Sequence, residues 1–235
     1  MAYIYEHIRT RGYEPLYFEE HFTYLEAGAA RHFGEPLNLS RQELKEAITQ
    51  TLHKGHFSPT MMNAVEVRYF DNGTFEVEAK EILYKHFSLR ALHPRAYLCR
   101  VSGDILLKNT SAKAALVELN RITAQASELG AALWADEQGE VLAIDGAPVI
   151  AVFEDEVRFS QKGDGVEFER AFEAVTKMGR NATRDAINLE DLKDAKELLF
   201  IGHEGLSAVH RFESRIFMDI SAEKIASAIA QAESL

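Results

Sequence analysis

From Tyr3 to Arg9 apolar and polar residues alternate in a run rich in Tyr and Ile, the period-two signature of a β-strand. Gly12 and Pro15 then predict a turn. From Leu16 onward Phe18, Phe22, Leu25, Ala29 and Phe33 recur at steps of three and four. That spacing puts them on one face of a helix, which Gly34 and Pro36 end. Ser40-Arg41-Gln42-Glu43 is a capping box and opens a second helix running to about His53. Met62 to Phe70 alternates again, and Asp71-Asn72-Gly73 predicts a hairpin turn, because Asn-Gly accepts positive φ at low cost. The strand returns over Thr74 to Ala79, with an extension into Ile82-Leu83-Tyr84. A further strand covers Ala96 to Val101. This first part reads as two helices on an antiparallel sheet.

Ser102 to Thr110 is the predicted junction between a small α+β N-terminal lobe, residues 1–105, and a larger α/β C-terminal lobe, residues 106–235. A long helix over Ser111 to Leu129 comes after it, with Leu116, Leu119, Ile122, Ala126 and Leu129 expected on one inward face and Gly130 as its stop. Short strands are predicted at Ala131–Ala135, Val141–Ile144, Val149–Phe153 and Glu156–Phe159, separated by turns. A helix over Glu167–Met178 comes next, then a short helix over Leu189–Lys196 with Asn188 as its cap. Leu198–Ile201 reads as a strand, Val209–Phe217 as extended, and Ala222–Ala232 as a helix capped by Ser221 with Ile225 and Ile229 inward. The pattern is α+β in two lobes, without internal repeats.

Composition narrows the functional classes. The chain is 46% hydrophobic and 27% charged, enough to bury a core without staples. Its net charge of −11 repels phosphate backbones and anionic lipids, which argues against nucleic-acid and membrane-surface partners. No apolar run is long enough to span a bilayer, and the N-terminus lacks the basic-then-apolar pattern of a signal peptide. The single cysteine, Cys99, cannot form an internal disulfide and reads as a small buried hydrophobe, in keeping with a cytoplasmic location. Walker, Gly-x-Gly-x-x-Gly, Gly-x-Ser-x-Gly and His-Glu-x-x-His patterns are missing. His53 and His56 are neighbours without an accompanying Cys or carboxylate, so solvated histidines are the expectation there rather than a metal site.

Several phrases, in order, resemble one family. Pro15-Leu16-Tyr17-Phe18-Glu19-Glu20-His21-Phe22-Thr23-Tyr24-Leu25-Glu26 is similar to the first helix of the class IV aminotransferases. Val65-Glu66-Val67-Arg68-Tyr69 with its hairpin is similar to the segment after that helix. Lys108 falls just after the junction and before the long helix. Asp136-Glu137-Gln138-Gly139-Glu140-Val141 resembles that family's Asp–x–x–Gly–x–Val, and Val149 to Val157 its next strand and turn. Asn188 to Gly202 resembles its closing segment. The likeness spans nearly the whole chain, and order and spacing carry it. It implies the two-lobed D-amino-acid aminotransferase-like architecture, pyridoxal 5′-phosphate (PLP) fold type IV. It also implies a homodimer, with the cofactor or another small ligand in the cleft between lobes. By position Lys108 would form the Schiff base and shuttle protons, with Lys113, about one turn later, as the alternative.

The same alignment marks departures. Tyr24 stands where the family has the Arg that clamps the cofactor phosphate, and a neutral phenol cannot replace a forked guanidinium. Ala143 stands where a Glu keeps the pyridine nitrogen protonated, with Asp145 as a conceivable stand-in on the same strand face. Pro148 replaces an Asn. Asp164-Gly165-Val166-Glu167-Phe168 replaces the second phosphate loop, putting Glu167 where a Thr is expected, and His203 comes after Gly202 in place of Thr. Tyr24, Arg68, Glu167 and His203 are thus the aligned cofactor-binding positions beside Lys108. Two functions are open. One is a PLP-dependent aminotransferase or lyase acting through Lys108 on an amino acid or aminodeoxychorismate. The other is a catalytically inactive family member that does not bind PLP and serves as a binding or interaction protein.

Overall fold

The alternation that starts the chain is buried on both sides. β1 (Tyr3–Arg11) sends Ile4 and Ile8 to one face and Tyr5 and Arg9 to the other, and all four are buried. The computed structural model describes residues 1–82, 84–90, 94–102, 109–126 and 130–234. Leu83 and Leu129, each assigned above to an element, lie outside the described residues. The described residues fall into two compact units, Met1–His86 with Lys108–Ser111, and Phe87–Leu107 with Ala112–Leu235.

In the first unit β1, β2 (Glu14–Pro15), β3 (Met62–Phe70) and β4 (Phe75–Glu81) pair antiparallel in the order β2-β1-β3-β4. Ile4, Ile8, Val65, Val67 and Tyr69 form the core face. Two helices cover it, α1 (Phe18–Phe33) through Phe22, Leu25 and Ala29, and α2 (Arg41–Lys54) through Leu44, Ile48 and Leu52. The predicted capping box is present: Ser40 Oγ accepts from Glu43 N at 3.2 Å and Glu43 Oε2 from Ser40 N at 2.9 Å. Asn109 returns to this unit, its carbonyl accepting from Tyr5 N at 2.8 Å.

The other face of this sheet carries charge. Glu66 accepts from His7 Nε2 at 2.7 Å, Lys80 Nζ at 2.5 Å and Arg68 Nε at 2.6 Å. Burial alone would raise the pKa of Glu66. The hydrogen bonds from His7 and Lys80, and their charges, outweigh burial and hold it far below the ordinary glutamate value.

The second unit is layered as helix, sheet, sheet, helices. β5 (Arg95–Arg100) runs parallel to β6 (Ala131–Ala135), which pairs antiparallel with β7 (Val141–Ile144). On the far side of β5 lie β13 (Arg211–Phe212) and β14 (Arg215–Ile216). The other sheet has the order β10-β9-β8-β11-β12, from β8 (Val149–Val152), β9 (Val157–Ser160), β10 (Ala182–Asp185), β11 (Glu197–Gly202) and β12 (Gly205–Ala208). Leu133, Ile144, Val149, Ala151, Leu198 and Phe200 fill the space between the two sheets. The outer face of the first sheet, with Trp134 and Ala143, packs on Leu116 and Val117 of α3 (Ser111–Ala126). Over the second sheet lie α4 (Val166–Lys177), whose Phe168 stacks edge-on to Phe159, and α5 (Ile220–Glu233), whose Ile225 and Ile229 point inward as predicted.

Four local expectations are corrected. The inward stripe predicted for α3 holds at Leu116 but not at Leu119 and Ile122, which are exposed, while Lys113 and Asn120 are buried. Asn188 does not cap a helix; its N–H donates to Asp191 Oδ2 at 2.8 Å ahead of a single 3-10 turn, Asp191–Lys193. The extended stretch from Val209 is the β13–β14 hairpin, and β10 has no counterpart among the predicted strands, because Ala182–Asp185 has no apolar alternation. α5 starts one residue before the expected cap, Ser221. Its first turn is capped from outside the helix by Glu197, 3% exposed, whose carboxylate accepts from Ser221 N at 2.8 and 3.0 Å and from Ala222 N at 3.2 Å.

Two outcomes are expected. Glu197→Ala lowers the unfolding free energy by about 2 kcal/mol in a denaturant titration, and Glu197→Gln, which keeps one oxygen acceptor, lowers it less. Folded Glu66 titrates below its unfolded value, so its pairing stabilises the fold above pH 4.5 and that share is lost as pH falls past it. Denaturant midpoints followed downward from neutral pH should therefore fall less steeply below that point for Glu66→Gln than for the parent chain.

Candidate functional site

Tyr24 lies on α1, half-buried, one turn beyond His21. Two supports fix that stretch of helix on β1. A Cβ on Gly28 would stand 3.0 Å from Ile4 Cδ1, so the helix sits close there. His21, fully buried, brings Nδ1 to 2.8 Å from Glu6 Oε1, and Glu6 Oε2 accepts from Asn109 Nδ2 at 3.3 Å. Sequence reasoning missed this His21–Glu6–Asn109 chain. The signal was available: Glu6 shares its strand face with Ile4 and Ile8, and His21 shares its helix face with Phe18, Phe22 and Leu25.

Arg68 is on β3 but on the face turned away from α1, so the sheet lies between it and Tyr24. Its guanidinium is gripped by Glu66 at 2.5 and 2.6 Å and by Glu78 at 3.0 Å. A phosphate brought there would meet two carboxylates.

In the second unit Glu167 occupies the first turn of α4, 7% exposed, behind an N-cap glycine, Gly165, at φ 116°. The N-terminus of a helix attracts anions, and here a carboxylate of the chain already occupies that turn. Gly165 itself sits in open space, where the left-handed φ rather than crowding calls for glycine. His203 sits half-buried in the turn between β11 and β12. Lys108 lies outside the described residues. Lys113 is inside α3 and buried, its Cε 3.3 Å from where a Cβ on Gly146 would be.

Ala143 is on β7, 5% exposed, paired with Trp134 in a wall that also includes Ala132 and Leu142. Tyr97, Cys99, Leu116 and Val117 pack against the same wall, and position 143 itself supplies no carboxylate to hold a protonated ring nitrogen. Asp145 is not the stand-in that strand alternation suggested. It falls past the end of β7 at φ 48°, where alternation no longer applies. Its Oδ1 accepts from Ala132 N at 2.8 Å, closing the β6–β7 edge. Burial raises the pKa of Asp145, against the hydrogen bond from Ala132 and the charge of Arg90. Cys99, half-buried, has its thiol pKa raised by burial, which suits the inert role expected of it.

At the aligned positions 24, 143 and 167 this chain thus carries Tyr, Ala and Glu. Asp145 accepts from a backbone amide, Arg68 is engaged by Glu66 and Glu78, and the first turn of α4 carries Glu167. Among the described residues no group of three His, Cys, Asp or Glu side chains could hold a metal ion, and no helix is long and apolar enough to cross a membrane.

Comparison with known proteins gives the lineage. The amino-transferase class IV profile matches residues 3–203. No curated protein matches the sequence. Solved structures do. A branched-chain aminotransferase from Thermoproteus uzoniensis, determined with norvaline, aligns with a TM-score of 0.80 at 16% identity over 97% of this chain and 84% of its own. A protein provisionally assigned as a 4-amino-4-deoxychorismate lyase from Legionella pneumophila gives 0.79 at 13% over 99% and 90%. A hypothetical aminotransferase from Mycobacterium tuberculosis in its PLP-bound form gives 0.78 at 16% over 98% and 89%. At such identities the structures establish a shared fold type IV architecture, and the profile, covering most of the sequence, establishes descent: this chain belongs to the class IV aminotransferase family.

Proposed function

We propose that this chain keeps the class IV fold without its PLP-supported chemistry and works as a binding or interaction protein. The observation that carries this is Ala143, buried among Ala132, Trp134 and Leu142 at the place aligned with the ring-nitrogen carboxylate. When bound in an enzyme of this family, PLP acts as an electron sink, and that depends on a pyridine nitrogen kept protonated by a neighbouring acid. An alanine at position 143 gives no such support. The engagement of Arg68 by Glu66 and Glu78, and the acid at the start of α4, argue the same way at the phosphate end.

The second reading is a PLP-dependent aminotransferase or lyase acting through Lys108 on an amino acid or aminodeoxychorismate. The family profile favours it, because its match runs across position 108, and so does the PLP-bound relative from Mycobacterium tuberculosis.

One experiment separates the two. The purified chain is incubated with excess PLP, reduced with borohydride, digested and mapped by mass spectrometry. The expected result is no new visible absorption band before reduction and no phosphopyridoxyl group at Lys108 or Lys113 above the level on exposed lysines. A stoichiometric adduct at Lys108 that disappears in Lys108→Ala would transfer the conclusion to the second reading.

A further inference from the structure

A two-residue strand pairing in the second unit sets two like charges side by side. β13 runs parallel to β5, with Arg211 in register with Arg95 and Phe212 with Ala96. Register neighbours on adjacent strands stand about 5 Å apart and point to the same face. Phe212 and Ala96 go into the core between the two sheets, so the two arginines share the opposite face. Like charges placed directly opposite one another cost stability.

Neither charge is neutralised. Among the described residues the Arg95 side chain makes no hydrogen bond or ion pair, and that of Arg211 makes one hydrogen bond, from Nε to the Glu213 carbonyl at 2.7 Å. This bond holds one edge of the Arg211 guanidinium to the turn after β13 and leaves the N–H groups of its two terminal nitrogens unengaged. Arg68, Arg158 and Arg184, also on strands, each hold a glutamate instead. In a chain with 37 acidic against 26 basic residues, two neighbouring guanidinium groups without a carboxylate are an exception. Both line a pocket of about 270 Å³. Tyr97, two residues on and so on the same strand face as Arg95, and Leu98 add apolar surface to it, and exposed Glu213 lines it as well.

A guanidinium is a planar fork that matches two oxygens of a phosphate or carboxylate. Two forks side by side carry the charge and the donors for a dianion. A phosphate monoester, at about −1.5 to −2 near neutral pH, supplies that charge, and a single carboxylate does not. The pocket is just below the roughly 300 Å³ at which ordinary ligand sites begin, which limits the rest of the ligand to about one ring. We propose that Arg95 and Arg211 bind the phosphate group of a small molecule, either free phosphate or a phosphomonoester whose body lies against Tyr97 and Leu98. This goes beyond the function proposed above and does not rest on it, since none of positions 24, 68, 143, 167 and 203 lines the pocket.

The test is a titration of para-fluorophenyl phosphate with the full chain, followed by the fluorine NMR line width. The proteins are the parent, Arg95→Gln, Arg211→Gln, Glu213→Gln and, as a control for net charge, Arg31→Gln in the last turn of α1. The parent should broaden the signal. Arg95→Gln and Arg211→Gln should each weaken binding by about tenfold or more, and Arg31→Gln should leave it within about twofold. Glu213→Gln should tighten it by about threefold, because an acid beside the bound phosphate is gone. That gain cannot come from a folding defect. Without ligand, Arg95→Gln should melt no lower than the parent, since a repulsive neighbour has been removed. Inorganic phosphate should displace the ester. Displacement at equal concentration assigns the site to free phosphate, displacement that needs about tenfold more assigns it to an ester, and both uphold the proposal. A parent that leaves the signal sharp at millimolar concentration, unchanged binding in either arginine variant, an equal loss in Arg31→Gln, weaker binding in Glu213→Gln, or an ester that phosphate does not displace would overturn it.

Discussion

An ionised carboxylate taken out of water has to be met by donors close at hand, and much of this molecule is arranged around that requirement. Glu66 draws His7, Lys80 and Arg68 to itself on the far face of the first sheet. Glu6 is met by His21 and Asn109 under the first helix, and Glu197 by the opening N–H groups of the last one. Each of these grips commits a donor to a partner within its own unit. A guanidinium held by two glutamates is a poor clamp for a dianion, and this is the physical link between the internal electrostatics of the fold and the reading of Arg68.

The fold was legible where burial is one-sided or periodic. The hairpin at Asp71-Asn72-Gly73, the capping box at Ser40 and the first helix all announce themselves, because turn chemistry, capping and apolar spacing agree at each place. Reading failed on α3 for an opposite reason. The apolar residues have helical period, but period does not say how far round the helix the covered face extends, and here Leu116 packs on the sheet while Leu119 and Ile122 do not. The strand at Ala182–Asp185 was hidden because its side chains are polar or half-exposed; parallel pairing with β9, not its own pattern, makes it a strand. The cap on α5 could not be read locally at all, since Glu197 lies 24 residues before Ser221.

For the candidate site, the identities were readable and the environments were not. The substitution at Ala143 can be seen in the letters; that the position is walled by Trp134 and Leu142 requires the fold. Asp145 shows the limit of alternation as an argument. A left-handed backbone turn ends the strand one residue too soon, and the carboxylate expected to share a face with Ala143 bonds a backbone amide instead.

The carboxylate of Glu197 also ties two distant parts of the chain into one cooperative element. Were the last helix to fray away from the sheet, a buried negative charge on β11 would lose all three of its backbone hydrogen bonds at once. Helix and strand therefore gain little from opening separately. Amide protons of β11 and of the first turn of α5 would then exchange with solvent together, as a single opening event, rather than in the graded order usual for a terminal helix.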